Sequence, residues 1–516
     1  MNIPTQMLDL APRRGTLSLL MLTTLAASLS AQAAFDSGST GSDGALSPTV
    51  NTAIPLPESG VLNYTSINIP SGVTVTFIRN IANTPVYLLA KNDVTIAGVI
   101  DIRGGDAKPT GTSGDGALAD DGLPGLGGPG GYNGGRGGTE DVQQRDSIIR
   151  GGTGLGPGGG AGGIEGSDGC VTGRYFKSYG VGGGYATGAY SYYLYACGIS
   201  SAYYVPLGKA YGSTLLQPLL GGSGGGGGRG GTLYPGSGGG GGGGALLLAT
   251  SGILTINGSI DATGGDGGGN AGTGTGGQGA GGSGGAIRLM AVSITGTGQV
   301  SADGGCINLG NSRRQYCGSD GYWYQYGGAP GRIRLEANNI TYTGSTSPTF
   351  VKDLPGPVFI ANSPTLRIAS VAGSATPANP TGNADIVLPA TTTGPVDVVF
   401  ETVNVPTGNT ILLRIVPASG TATEVLSPAI TGTTASGTAS VKATLPSGLS
   451  TLQATTTYTV VLAGSLDLSR FAHNEAVEKV EVSVPLTGEP RARLLTASGK
   501  AYEVSYAALR AAGFRG

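Results

Sequence analysis

Four segments of this chain can be laid over one another, and the first three run straight into glycine. "VYLLAKNDVTIAGVIDIRGGDA" (86–107) aligns with "ALLLATSGILTINGSIDATGGDG" (245–267), "AIRLMAVSITGTGQVSADGG" (286–305) and "RIRLEANNITYTGSTS" (332–347). Thr95, Thr255, Thr295 and Thr341 coincide, and three residues on so do Gly98, Gly258, Gly298 and Gly344. Each unit reads as strand, polar turn, strand and glycine corner. One such unit has no neighbour against which to bury its apolar face, so the pattern demands stacking, with parallel neighbours about 4.8 Å apart. Alternation points Ile287, Leu289, Ile333 and Leu335 inward and Arg288, Arg332 and Arg334 outward. The expected fold class is therefore all-β: a parallel β-helix (solenoid) with long glycine-rich insertions, its first irregular coil supplied by residues 62–80.

The spacing of the units shows where the insertions fall. Thr95 and Thr255 are 160 residues apart, whereas the next two intervals are 40 and 46, and 78 of the 100 glycines lie between Gly104 and Gly331. Outside the repeat units they fall in three excursions, 104–244, 264–285 and 304–331. Ordering a glycine backbone costs about 1–2 kcal/mol at the upper end of the range, and no side chain is present to offset it. Two outcomes follow: the segments lie side by side as polyproline-II-like helices whose amides pair, or they stay solvated.

At the amino terminus, Arg13 and Arg14 precede a mostly apolar run, Leu17 to Leu29, which leads into Ala31-Gln32-Ala33. That reads as a secretory signal peptide over residues 1–33, cleaved before Ala34. Residues 34–354 are then expected to form the β-helix. What remains holds 27 basic and 30 acidic side chains, too weak a field for nucleic acid, and no later run is long and apolar enough to form a transmembrane span. Four cysteines enter an oxidising compartment in two local pairs, Cys170 with Cys197 and Cys306 with Cys317 being the expected disulfides. Zinc is the competing reading, but the spacings are not of the CxxC type and the one histidine, His473, lies far off.

The T-x-x-G units and the blocks "GGSGGGGGRGG" (221–231) and "GSGGGGGGGA" (236–245) resemble the glycine-rich right-handed parallel β-helix proteins of bacterial surfaces, of pectin-lyase-like architecture. The resemblance spans about residues 60–350 and reaches adhesins, passenger domains and polysaccharide lyases alike. For the lyases it implies clustered aspartates holding calcium beside a basic residue. Here the alignment sets Asp101 with Asp261 and Asp106 with Asp266, weak candidates for a calcium site; the third unit departs with Ser301 and Cys306, and no base repeats with the acids. His473 sits in an ordinary polar turn, and no nucleophile motif stands out.

Ten of the 22 tyrosines crowd residues 174–211, and a second group follows Cys317. Tyr190, Tyr192, Tyr193, Tyr195, Tyr203 and Tyr204, with Tyr322, Trp323, Tyr324 and Tyr326, form the candidate binding surface, since tyrosine offers an apolar face and a polar tip. Packing of loops that lack other apolar material is the alternative. Past residue 355 glycine gives way to Val, Thr, Pro and Ala, and runs such as "DVVFETVNVP" and "TILLRIVPA" predict a β-sandwich of about seven strands over 355–465. By pattern only it resembles immunoglobulin-like or fibronectin-type modules; residues 466–516 read as a C-terminal extension with a short helix in "YAALRAAGF". The expected function is that of a secreted, non-enzymatic surface, matrix or filament-forming protein whose partners are its own copies, other surface proteins or carbohydrate. The alternatives are a polysaccharide-binding or polysaccharide-degrading enzyme and a calcium- or ice-binding solenoid.

Overall fold

The computed structural model describes residues 35–110, 121–143, 149–163, 179–189, 208–269, 276–308, 314–315, 317, 327–359, 362–377, 385–417, 422–462, 466–486 and 490–515. The repeated strands pair in parallel: Thr255 lies opposite Thr95 on one side and Thr295 on the other, and Asp261 lies opposite Asp101 and Ser301. Gly258 and Gly298 are required by the stacking, because a Cβ on either would stand 1.9 or 2.1 Å from the carbonyl oxygen of Gly98 or Gly258 in the unit before.

The solenoid followed by a sandwich is corrected by how these strands join. In the first two aligned units a polar break, Lys91–Asp93 or Ser251–Gly252, separates two strands. "AIRLMAVSIT" has no such break, so Ala286–Thr295 runs straight through and hydrogen-bonds Ala245–Thr250 along its first half and Ile253–Ile256 along its second. The path becomes Ala45–Leu46, Ser66–Ile69, Val94–Ile96, Ile253–Ile256, Ala286–Thr295, Ala245–Thr250, Val86–Ala90, Val61–Tyr64: eight parallel strands in a nearly closed, barrel-like arrangement. Arg332–Ile340 adds to it beside Ala286–Thr295, and Val351–Asp353 beside Arg332–Ile340. A second parallel sheet, from Ser345–Ser347 through Gln299–Ser301, Ser259–Asp261, Val99–Asp101 and Thr74–Ile78 to Thr52–Pro55, closes over an apolar core that includes Ile69, Leu88, Ile100, Leu254, Ile260 and Leu289. The opposite face of Ala245–Thr250 is also covered, by Tyr185, Tyr211, Leu216 and Leu219. That is why this strand is buried at every position rather than at alternate ones.

The glycine segments are ordered wherever they are described. Twelve extended stretches (103–110, 121–128, 131–141, 149–155, 158–163, 179–184, 221–231, 234–244, 262–269, 276–285, 302–308 and 327–331) lie side by side and bond through their backbones. Gly222, Gly225 and Gly228 donate to Gly243, Gly240 and Ser237, while Gly224, Gly227 and Gly230 donate to Leu155, Gly152 and Ile149. The period is three, that of polyproline II, so one amide in three faces each neighbour. Residues 221–231, 234–244 and 276–285 each share hydrogen bonds with six other stretches. Surrounded on all sides, they have almost no room for a side chain: a Cβ on Gly225 would stand 2.1 Å from the Ala280 carbonyl oxygen. Peripheral stretches have one open side, and larger residues return there at every third position, as with Leu123 and Leu126, Arg136 and Thr139, and Arg150 and Thr153.

Beyond residue 360 the seven-stranded sandwich expected over 355–465 is replaced by two antiparallel sheets holding eleven strands among the described residues. Five run Ser374–Ala375, Thr365–Val371, Pro395–Val403, Ser436–Thr444, Thr431–Thr433, and six run Thr423–Leu426, Ile411–Pro417, Ser450–Val461, Val477–Pro485, Arg491–Thr496, Ala501–Ser505. The last three lie beyond residue 465, so the chain after it belongs to the sheet. The sheets share one core that includes Phe400, Leu413, Tyr458, Val482, Leu494 and Phe514, to which the short helix Tyr506–Ala511 contributes Leu509.

Candidate functional site

The stacked units bring the aligned aspartates together, each engaged by the protein itself. Arg103 donates to both oxygens of Asp101, at 3.1 and 3.0 Å, and its Nε lies 3.7 Å from Asp261. The hydrogen bond to Asp101 and the nearby carboxylates hold the Arg103 guanidinium above its ordinary pKa despite partial burial. Thr263 donates through its backbone N–H and its hydroxyl to Asp261. Further along the ladder, the Asp106 carboxylate accepts the Asp266 N–H at 2.7 Å, and the Asp266 carboxylate accepts the Cys306 N–H at 2.8 Å. Asp106 and Asp266 thus cap the backbone of the next unit, whereas Asp101 and Asp261 are held by Arg103 and Thr263 of their own units. Among the described residues no group of three or more His, Cys, Asp or Glu side chains is placed to hold a metal ion.

The outward positions of the parallel strands form polar columns. Asn68, Thr95, Thr255 and Thr295 stand in register on adjacent strands, and the Thr341 N–H continues the ladder to the Ile294 carbonyl. On the second sheet Thr76, Asp101, Asp261, Ser301 and Ser347 form another. With one side chain per strand, each column repeats at about 4.8 Å.

The arginines read as solvent-facing are placed differently. Arg288 and Arg334 lie side by side on the outer face of the ten-residue strand and its neighbour, but Arg288 is only 1% exposed. Its Nε and Nη2 bond the two oxygens of Glu336 at 2.8 and 2.9 Å; Arg334 bonds Glu336 at 2.6 Å and Asp353 at 2.8 Å. Burial by itself would raise the Glu336 carboxyl, but hydrogen bonds from Arg288, the Gly356 N–H and Arg334 hold it below its ordinary value. Arg332 lies 5.7 Å from the Tyr185 ring centre. Alternation correctly excludes these residues from the central core; it carries no information about residues 353–359, which bond Arg288 and Arg334, or about Tyr185, Ala186 and Tyr211, which meet Arg332.

Of the candidate binding tyrosines, Tyr190 through Tyr204, and Tyr322, Trp323, Tyr324 and Tyr326, lie outside the described residues, as do Cys170 and Cys197. The Cys306–Cys317 disulfide is formed. Three tyrosines not singled out by sequence are buried instead: the Tyr185 hydroxyl donates to the Leu220 carbonyl, that of Tyr211 to the Gly221 carbonyl, and Ser223 donates to Tyr211. Tyr132 packs where a Cβ on Gly156 would meet its ring, and burial, then the charge of Asp385, pushes its hydroxyl up to about 12. His473 has a left-handed backbone (φ 52°) and its ring lies tilted, 5.3 Å from that of Tyr502, whose hydroxyl donates to Glu475; Glu475 also accepts from Ser498 and Lys500. No helix among the described residues is long and apolar enough to cross a membrane.

No family model, curated protein or solved structure matches this chain.

Proposed function

We propose that this is an exported, non-enzymatic structural protein of a surface or extracellular matrix, whose outer polar columns adhere to carbohydrate or to other surface proteins. The observation that carries this reading is the glycine lattice, in which three stretches are each hydrogen-bonded to six others. A body held mainly by backbone amides, its few interior side chains such as Ser223, Ser237 and Ser283 spent on hydrogen bonds to their neighbours, has fixed dimensions, which suits presentation of a surface rather than turnover of a substrate. Among the described residues Asp106, Asp266 and Tyr185 are spent on backbone N–H groups and a carbonyl, which supports a structural use of them. Glycan-array and whole-cell binding by the purified secreted chain, with negative-stain microscopy of native material, tests it. Binding or assembly supports the proposal; turnover of a polysaccharide by the purified chain would replace it.

The in-register column of Thr95, Thr255 and Thr295 favours a second reading, recognition of a regular lattice such as ice. Thermal hysteresis abolished by Thr255→Lys would select it over adhesion.

A further inference from the structure

The buried ionic cluster has a lid of its own. After the exposed strand Val351–Asp353, residues 354–359 cross the outer face of the parallel strands before the chain enters the antiparallel sheets. Few of their contacts are apolar: Phe359 meets the Tyr87 ring at 5.3 Å, and Val358 packs at the edge of the Tyr185–Tyr211 cluster. The rest are polar and converge on a few side chains. Arg288 donates to the carbonyls of Pro357 at 3.1 Å and Val358 at 3.4 Å, Gln217 Nε2 donates to Pro357 at 2.5 Å, and the Gly356 N–H donates to Glu336 at 2.9 Å. Asp353 is fastened by Arg334.

We propose that residues 353–359 are a latched strap: the Arg288–Glu336–Arg334 cluster holds the lead into the antiparallel sheets against the parallel body, and loss of its charge balance releases it. Glu336 is the centre, since it neutralises both arginines and binds the strap itself. Without its charge, two guanidiniums stay buried with Asp353 alone as counter-ion, an arrangement that breaking one partner makes strongly unfavourable. Release of the strap opens residues 353–359 to solvent while the parallel body keeps its own core. This inference does not depend on what the outer surface binds.

Limited proteolysis of the full chain tests it, because Lys352, Leu354 and Phe359 are exposed cleavage points on the outer side of the strap. Glu336→Gln is expected to speed tryptic cleavage after Lys352 and chymotryptic cleavage at Leu354 and Phe359 by roughly tenfold or more, the local opening becoming more populated. The double variant Arg288→Met with Glu336→Leu separates latching from mere packing and serves if the single variant fails to fold. Apolar replacement restores the body's thermal stability, but methionine offers no donor to Pro357 and Val358, so the strap stays open to protease. Unchanged cleavage in Glu336→Gln, or a double variant whose strap is as protected as the parent's, overturns the proposal.

Discussion

Residues 236–244, GSGGGGGGG, and residues 395–403, PVDVVFETV, are both nine residues long, both extended and both in the interior of their part of the molecule. The second alternates buried and exposed positions and joins its core through Val398 and Phe400. The first is buried at every position and brings no apolar side chain at all. In the antiparallel sheets side chains exclude water and the backbone ladder follows; in the glycine bundle the backbones approach so closely that water is excluded without side chains. Two consequences separate the regions. The sheets tolerate change at every second residue, whereas an interior glycine stretch tolerates it almost nowhere, and the bundle relies on hydrogen bonds each worth only about 0.5–1.5 kcal/mol net, so its stability comes from their number.

The sharpest way to break this contrast is to add one carbon. Gly225→Ala places a Cβ 2.1 Å from a carbonyl oxygen of a line that cannot recede, because it too is enclosed. A loss of roughly 4 kcal/mol or more, or failure to fold, is expected in thermal denaturation, beyond the usual cost of overpacking. Gly448→Ala is the control: its Cβ meets nothing, so only the positive φ of 88° is charged against it, about 1 kcal/mol. If the two substitutions cost the same, close approach is not what selects glycine. In the sheets the opposite change should matter: Phe400→Ala, fully buried, is expected to cost about 3–5 kcal/mol in chemical denaturation by leaving a cavity.

Smaller effects sharpen the comparison at the margins. The Cys306–Cys317 bridge closes a short loop, sequence separation 11, at the edge of the bundle, and Cys317→Ser should lower stability by roughly 2–3 kcal/mol, read from the shift in denaturation midpoint. In the sheets, hydrogen bonds from Lys500 and Ser498 pull the half-buried Glu475 carboxyl down to about 2. Its folded pKa lies below the unfolded one, so its contribution is present above the ordinary carboxylate range and is lost as pH falls toward about 2. A carboxyl NMR titration with a midpoint near the ordinary glutamate value would remove that contribution.

The local register of the parallel strands was legible in the sequence, because the repeat places Thr255 beside Thr95 and Thr295 by alignment alone. Their wider arrangement was not, since it turns on whether a strand breaks after five residues or continues for ten, a difference of two or three polar residues. The paired-amide alternative for glycine was also legible; the lattice was not, though its signature is written in the spacing. Unbroken glycine marks an enclosed stretch, and a larger residue every third position marks a peripheral one, as Arg136 and Thr139 show. The burial of Arg288 was hidden because its cover, Pro357 and Val358, lies some seventy residues away in sequence. Of the antiparallel strands after residue 465, Arg491–Thr496 lies between Val477–Pro485 and Ala501–Ser505 and buries only Ala492, Leu494 and Thr496, so its apolar signal is weak.

Native-state amide exchange at Gly225, Gly228, Gly240 and Gly243 tests most directly whether backbone hydrogen bonds hold the glycine body. Each donates to another enclosed or adjoining stretch at 2.8 or 2.9 Å, so protection comparable to that of the Ala286–Thr295 strand is expected. Exchange of these amides at the rate of an unstructured glycine peptide, with the strands still protected, would contradict the lattice outright.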